Sequence, residues 1–485
     1  MKYKDLKYLE VPLPETIAKE KWGGFFENAR SRIAAYLQDE TTDYALRCRL
    51  ELELSILKNL EERYTISPEE ALKILQKRIP DMTAQELEQL RMEDKADWIY
   101  RNGQVRYLDS FASTLYKVYP QIWSRTEAGD TADYHLTEDY LHSCRDGASR
   151  TAHIHIRHEV EIAPHALREG HPIRVYIPIP RERDGITNFR LLHCSPPPTS
   201  ISGGCEAQPT VYFEETATKG QVFALEYELD YTVSYHDLER LLQEAPHTVK
   251  MPHTPEAQKQ VPPQHMPGIA EDCVKNPFAP FSQENLQEEA PHIRFTPHLV
   301  TLCREIVGDE TEPLRKARKI YDFVTTKIDY RFVRDYASID NLTEYCALNR
   351  RGDCGIQALL FITLCRIAGI PAQWESGLAA EPDSVGEHDW AKFFLEGLGW
   401  LHADLSGGGA AYRRKAYDRW NFFFGNVEPY RIPINNRFQH DFSPEKRYLR
   451  RDPYDNQCGE IEYEDCGVYG DDLIYRHIPI DIHLK

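Results

Sequence analysis

Through the first 145 residues the apolar positions recur at three- and four-residue spacing, the pattern of amphipathic helices. Two segments announce their own starts: Ser67-Pro68-Glu69-Glu70 and Thr83-Ala84-Gln85-Glu86 are both S/T-x-x-E capping boxes ahead of Leu-rich runs. The stretch from Tyr44 to Leu60 has the same period, so residues 1–145 are expected to form a helical N-terminal domain. From Arg150 the period drops to two. Ile154, Ile156, Val160 and Ile162 fall on one face, and His153, His155, Arg157, Glu159 and Glu161 on the other. Further strand candidates run Ile173–Ile179, Phe189–Leu192 and Val222–Val233, with turn-rich Pro196-Pro197-Pro198 and Ser202-Gly203-Gly204 between them. Residues 146–236 therefore read as an antiparallel, sandwich-like β domain. His153 and His155 suit the wet face of a strand better than a metal pair. Residues 246–297 hold ten of the 31 prolines with few aliphatics, so 237–297 reads as an extended connector. A helix-rich pattern resumes at 298 and carries on into a region spanning 298–485. The fold class expected is α+β.

Charge narrows the function classes. With 58 Lys and Arg against 77 Asp and Glu the formal charge is −19, the wrong sign for binding nucleic acid. The most apolar stretch, Gly355–Ile370, carries Gln357 and Arg366 and is too short to cross a bilayer. Met1–Glu15 has no apolar core of a secretory leader. Eleven cysteines without a C-x-x-C pair read as reduced thiols, so a cytoplasmic protein is expected. No phosphate-binding glycine motif is present, so no nucleotide cofactor is expected. Asp455–Asp472 contains seven carboxylates without EF-hand spacing and reads as a solvated surface rather than a calcium site. Neither a cofactor nor a metal is expected, and oligomeric state is open.

The chemistry concentrates at Arg350-Arg351-Gly352-Asp353-Cys354. Gly352 and Asp353 are turn and cap residues, the run after them is apolar on nearly every face, and Gly369 and Pro371 stop it. Cys354 is thus expected in the first turn of a buried helix, where free backbone N–H groups and the helix dipole favour a thiolate. Arg350 and Arg351 push the same way; Asp353 opposes them. A thiolate nucleophile needs a base. Gly386-Glu387-His388-Asp389-Trp390 opens a strand-like run, Gly397-Leu398-Gly399 marks a hairpin turn, and the return strand ends at Asp404. A carboxylate there can orient the imidazole. A two-residue loop would put His388 and Asp404 on opposite faces, so a three-residue loop ending in Gly399, or a bulge, is expected. Cys346 competes as nucleophile and His402 as base, while Cys365 reads as core packing.

These residues resemble the transglutaminase-like core, the papain-related fold of transglutaminases, bacterial cysteine peptidases and peptide:N-glycanases. The likeness rests on Gly352-Asp353-Cys354 leading into Ala358-Leu359-Leu360-Phe361 and Gly369-Ile370-Pro371-Ala372. His388 and Trp390 follow, then a Gly-rich turn to Trp400, and Asp404 after His402-Ala403. The run from Lys316-Ala317-Arg318 to Ile328-Asp329-Tyr330 resembles the opening of that domain, and coverage is roughly residues 297–425. The resemblance implies a papain-like core preceded by the helical and β domains. It gives Cys354 as nucleophile, His388 as base and Asp404 as orienting carboxylate, acting on a peptide, protein or small amide through a thioester. The Cys354 N–H is expected to be one oxyanion donor. Animal transglutaminases place a tryptophan upstream of the cysteine, whereas this chain has none between Trp123 and Trp374. Tyr330 and Tyr345 are the candidate substitutes, and the departure argues against protein crosslinking. The C-x-x-C zinc module usual in peptide:N-glycanases is also missing.

The function expected is therefore a thiol-dependent amide hydrolase or acyl transferase. The alternative is a binding or scaffolding protein on an inactive core, which intact Cys354, His388 and Asp404 disfavour. Ser406-Gly407-Gly408-Gly409 reads as a mobile loop near the site. Trp420–Asn426 is expected to pack on the core, with Tyr417 and Arg419 as weaker cleft candidates.

Overall fold

The computed structural model describes residues 3–129, 134–144, 147, 149–203, 206–244, 281–448, 450 and 457–485. Most of the proline-rich stretch (245–280) and Asp455 lie outside the described residues. The chain is α+β, with an N-terminal helical region, two antiparallel sheets and a helix-on-sheet core.

Both capping boxes form, opening the helices Pro68–Gln76 and Ala84–Met92. Tyr44–Arg63 is one long helix whose start is capped by Asp43. The period-3.6 reading misses a hairpin, Trp98–Arg101 paired with Gln104–Tyr107. Its signal was Asn102-Gly103: both residues have positive φ, as a type I′ turn requires.

In the β region, Arg150–Ile162 alternates as expected, though the buried face also includes His158. The strands form one sheet of four and one of five. The chain's end completes both. Glu460–Tyr463 pairs with Pro172–Pro178, and Leu473–Leu484 pairs along nearly the whole of Arg150–Ile162. The last residues of the 298–485 region are thus built into the β sandwich. In the acidic stretch Glu464, Asp465, Asp471 and Asp472 are exposed, as expected of a solvated surface, but Glu460 and Glu462 are not. Glu460 is fully buried against Lys446 Nζ (2.6 Å) and Arg450 Nε (3.2 Å), and Glu462 accepts from the Arg447 and Tyr448 amides. Carboxylate counting overlooked this because the pairing cations precede the acidic run, and burial with partners is the way such charges enter a core.

In the core, an antiparallel sheet runs Phe424–Gly425, Gly399–Ala403, Ser384–Leu395, Ala372–Glu381 and Arg431–Asn435 in that spatial order. The helix Cys354–Ile367 packs on it, Phe361 against Phe393 with ring centroids 5.7 Å apart. Phe422, Phe423 and Phe424 are buried, and Phe424 stacks on Phe393. The end of the expected connector is also packed: His292 and Ile293 are buried, and Arg366 donates to the Gln287 carbonyl (2.8 Å). The helical region leans on the core at Tyr330 and Phe332. Lys117 Nζ sits 4.9 Å from the Tyr330 ring centre, and Thr114 Oγ1 accepts from the Phe332 amide.

Candidate active site

Asp353 makes the helix start. Its Oδ1 accepts from the Ile356 amide (3.1 Å) and from the Tyr336 hydroxyl, so Cys354 becomes the first helical residue. The first-turn amides have no intrahelical acceptor and face outward from the helix end. Cys354 is half-buried, while the helix behind it is buried from Gly355 to Arg366.

On the sheet, the hairpin loop is three residues, Glu396–Leu398, with Leu395 paired to Gly399 and Ala391 to Ala403. It begins one residue earlier than the turn motif suggested, and Gly399, at φ +82°, opens the return strand. The parity is the expected one. His388 Nε2 meets Asp404 Oδ2 at 2.9 Å, and the ring stacks on Trp390. Pairing stops at Ala391, so the strand edge beside His388 is not covered by the return strand.

Asp404 is fully buried and held from four directions. Besides His388, it accepts from Arg431 NH1 (2.7 Å), the Gly407 amide (2.8 Å) and Ser406 Oγ (3.2 Å). Burial pushes its carboxyl up, but the His388 ring, the Arg431 guanidinium and the Gly407 amide outweigh burial and hold it far below the usual carboxylate range. Arg431 is fixed in turn by Glu428 Oε1 at 2.6 Å. The expected mobile glycine loop is instead a helix, Leu405–Arg413, with Asp404 as its N-cap. Its glycines answer close approach: a Cβ on Gly408 would lie 2.0 Å from the Tyr321 hydroxyl, and one on Gly407 2.6 Å from Asp404 Oδ2.

Cys354 differs from expectation. Among the described residues its Sγ hydrogen-bonds Asp389 Oδ2, at 3.6 Å, and not the His388 ring. Burial and the Asp389 and Asp353 carboxylates hold the thiol well above its ordinary value. The two arginines counted on to favour a thiolate are turned elsewhere. Arg351 pairs with Asp94 and donates to the Tyr345 hydroxyl, and Arg350 lies over the Phe323 ring. The structure thus joins His388 to Asp404 and Cys354 to the residue after His388.

Residues 300–405 match the model of the transglutaminase-like superfamily, a span that includes Cys354, His388 and Asp404. The chain carries a transglutaminase-like domain. No curated protein matches the chain. Among solved structures, it is similar to a protein provisionally described as a cysteine protease from Cytophaga hutchinsonii. That likeness has 13% identity and a TM-score of 0.40, and covers 70% of this chain and 90% of the other. The periplasmic domain of TgpA from Pseudomonas aeruginosa is similar at 12% identity and a TM-score of 0.28, over 58% of this chain and 95% of its own. Likenesses this distant bear on neither substrate nor mechanism.

The competing residues of the transglutaminase-like domain are occupied otherwise. Cys346 is fully buried under Gly352 and its thiol is pushed up by burial. Cys365 is buried in the helix core. His402 Nδ1 lies 3.3 Å from Glu375, which also accepts from Trp390 Nε1 (2.6 Å) and Lys392 Nζ (3.3 Å). Despite burial, Lys392 and His402 lower the Glu375 carboxyl to about 2. Of the oxyanion candidates, the buried Tyr330 hydroxyl is raised by burial and by the nearby Cys354, Asp353, Asp389 and Asp404, whereas Tyr345 is tied to Arg351. Arg419 is buried against Glu138 at 2.6 Å, and Tyr417 is exposed. Sequence reasoning missed Asp389 and Arg431. Asp389 was legible as a carboxylate beside His388; Arg431 sits on a strand whose neighbours no local pattern gives.

No helix among the described residues is long and apolar enough to cross a membrane, and no group of three or more potential metal-ligating side chains occurs among them.

Proposed function

We propose that the chain is a cysteine-dependent amide hydrolase or acyl transferase in which Cys354 is the nucleophile, His388 the base and Asp404 the carboxylate that orients it. The observation that carries this reading is the His388–Asp404 contact of 2.9 Å, with Asp404 buried and anchored by Arg431. A carboxylate so fixed holds Nε2 protonated and leaves Nδ1 as the basic nitrogen. In the reaction the Cys354 thiol exchanges its Asp389 contact for His388, and Nδ1 takes its proton. Sγ bonds to the carbonyl carbon, and the oxyanion forms at the first-turn amides of the helix. The C–N bond then breaks as His388 protonates the leaving nitrogen. Water, or an amine, gives a proton to His388, attacks the thioester and releases the thiolate, which regains its proton. Water is the favoured acceptor, so hydrolysis is proposed over transamidation. A reducing, cytoplasmic setting is proposed from the cysteine pattern of the sequence, eleven cysteines without a C-x-x-C pair.

p-Nitrophenyl acetate tests this without knowledge of the natural substrate. Wild type is expected to release a burst of p-nitrophenolate and carry an acetyl group on Cys354. Cys354→Ala should show neither, and His388→Ala a burst slowed about a hundredfold or more. Acetylation that spares Cys354 and falls on other residues alone would leave the inactive-core, binding-protein reading.

A further inference from the structure

Beside Cys354 the sheet carries a row of polar side chains on one face. Asp389 pairs with Ser376 on the neighbouring strand, and Ser376 with Asn435 on the next. Directly paired residues project to the same face, with Cβ atoms about 5 Å apart. Asp389 Oδ2 lies 3.6 Å from Cys354 Sγ, and its Oδ1 accepts from Gln457 Nε2 at 2.9 Å. Gly355 makes room for this carboxylate: a Cβ there would stand 2.8 Å from Oδ2. Ser376 and Asn435 are fully buried, and Ser376 Oγ and Asn435 Nδ2 have no hydrogen-bond partner among the described residues. Buried polar groups are rarely left so. The row thus ends in a carboxylate beside Cys354, and two of its buried polar atoms, Ser376 Oγ and Asn435 Nδ2, have hydrogen-bonding capacity unused among the described residues.

Resting on the function proposed above, we infer that this polar row takes the free α-ammonium group of an amino-terminal residue whose carbonyl Cys354 attacks. Bond lengths select that amine. In an α-aminoacyl group the nitrogen stands about 2.5 Å from its carbonyl carbon. An ammonium bonded to Asp389 Oδ2 thus keeps the carbonyl within the roughly 3–3.5 Å of Sγ that attack requires. A lysine ammonium, four methylenes away, would carry its own carbonyl out of reach. Ser376 Oγ supplies a second acceptor for the same ammonium. Occupation also changes the thiol: the ammonium takes the oxygen that Cys354 was using and offsets its charge, so the thiol is released to His388. The substrate class is peptides or small amides with an unblocked amino terminus.

The test compares alanyl chloromethyl ketone with its N-acetyl derivative, each rate of Cys354 modification divided by the reagent's rate with glutathione. Sγ displaces chloride from the methylene carbon, so the reading needs no turnover. Wild type should favour the free amine about tenfold or more, the effect of one charge-assisted hydrogen bond. Asp389→Asn should bring the ratio near one. A wild-type ratio of one or below, with iodoacetamide still modifying Cys354 in a His388-dependent manner, would overturn this inference and leave the proposed function standing. If native Cys354 takes none of the three reagents, both fail together.

Discussion

The two sides of the site are built differently. On the imidazole side the polar groups form one connected chain: His388 to Asp404, Asp404 to Arg431 and the Leu405–Arg413 helix start, Arg431 to Glu428, with only Glu428 Oε2 at its far end unpartnered among the described residues. On the thiol side Cys354 leans on a carboxylate that opposes its ionisation, and beyond it Ser376 Oγ and Asn435 Nδ2 are buried without partners among the described residues, while Asn435 Oδ1 accepts from the Arg437 amide (3.0 Å). The first side is preorganised before substrate arrives. The second, on the inference above, gains its missing bonds from the substrate ammonium. A buried, satisfied network fixes geometry, whereas unsatisfied groups mark the place where a ligand supplies the missing bonds.

The largest effect is expected at Cys354. Cys354→Ala should abolish p-nitrophenyl acetate turnover, by at least about 10⁴-fold, with the far-ultraviolet circular dichroism unchanged. Asp404→Ala comes next. It should lower the acetylation rate by up to about 10⁴-fold, and it takes one of two carboxylate partners from buried Arg431, which keeps Glu428, costing about 1–3 kcal/mol in urea unfolding. Its acid limb should change too. A carboxyl held below its unfolded value stabilises the fold above that value, about pH 3.9, and the contribution is lost as pH falls below it. Wild type should therefore lose stability steeply below about pH 4, and Asp404→Ala less steeply. Gly408→Ala should have an intermediate effect. Its Cβ meets the Tyr321 hydroxyl, which is fixed by the Trp420 carbonyl at 2.7 Å, so a destabilisation of about 1–3 kcal/mol is expected in thermal unfolding. Ser376→Ala should have the smallest effect. Deleting a buried hydroxyl that has no partner should change stability by less than about 1 kcal/mol, in the stabilising direction. A loss of several kcal/mol there would mean the thiol side is as closed as the imidazole side.

The elements written in local pattern were legible. Ser67 and Thr83 announced their helices, the alternation from Ala152 announced a strand, and Asp353-Cys354 ahead of an apolar run announced the helix that Cys354 opens. The hairpin parity that brings His388 to Asp404 followed from a period of two and a loop length. What escaped depended on distant partners. Leu473–Leu484 closes a sheet begun three hundred residues earlier, and Glu460 is buried because Lys446 and Arg450 meet it. Ser406–Gly409 has the composition of a loop, yet Tyr321 needs the space its glycines leave. The thiol's electrostatics were misread for the same reason. Arg350 and Arg351 adjoin Cys354 in sequence, but the fold aims both away and brings in Asp389.

On the reading proposed, Asp389 holds Cys354 as a neutral thiol until substrate arrives. The most direct test is the pH dependence of iodoacetamide alkylation at Cys354, resolved by peptide mass mapping, in wild type and Asp389→Asn. The predicted result is a wild-type midpoint above the roughly 8.5 of a free thiol that falls in the variant, because one opposing anion has been removed. A wild-type midpoint far below 8.5, unmoved by Asp389→Asn, would contradict it and show that Cys354 already rests as a thiolate paired with His388.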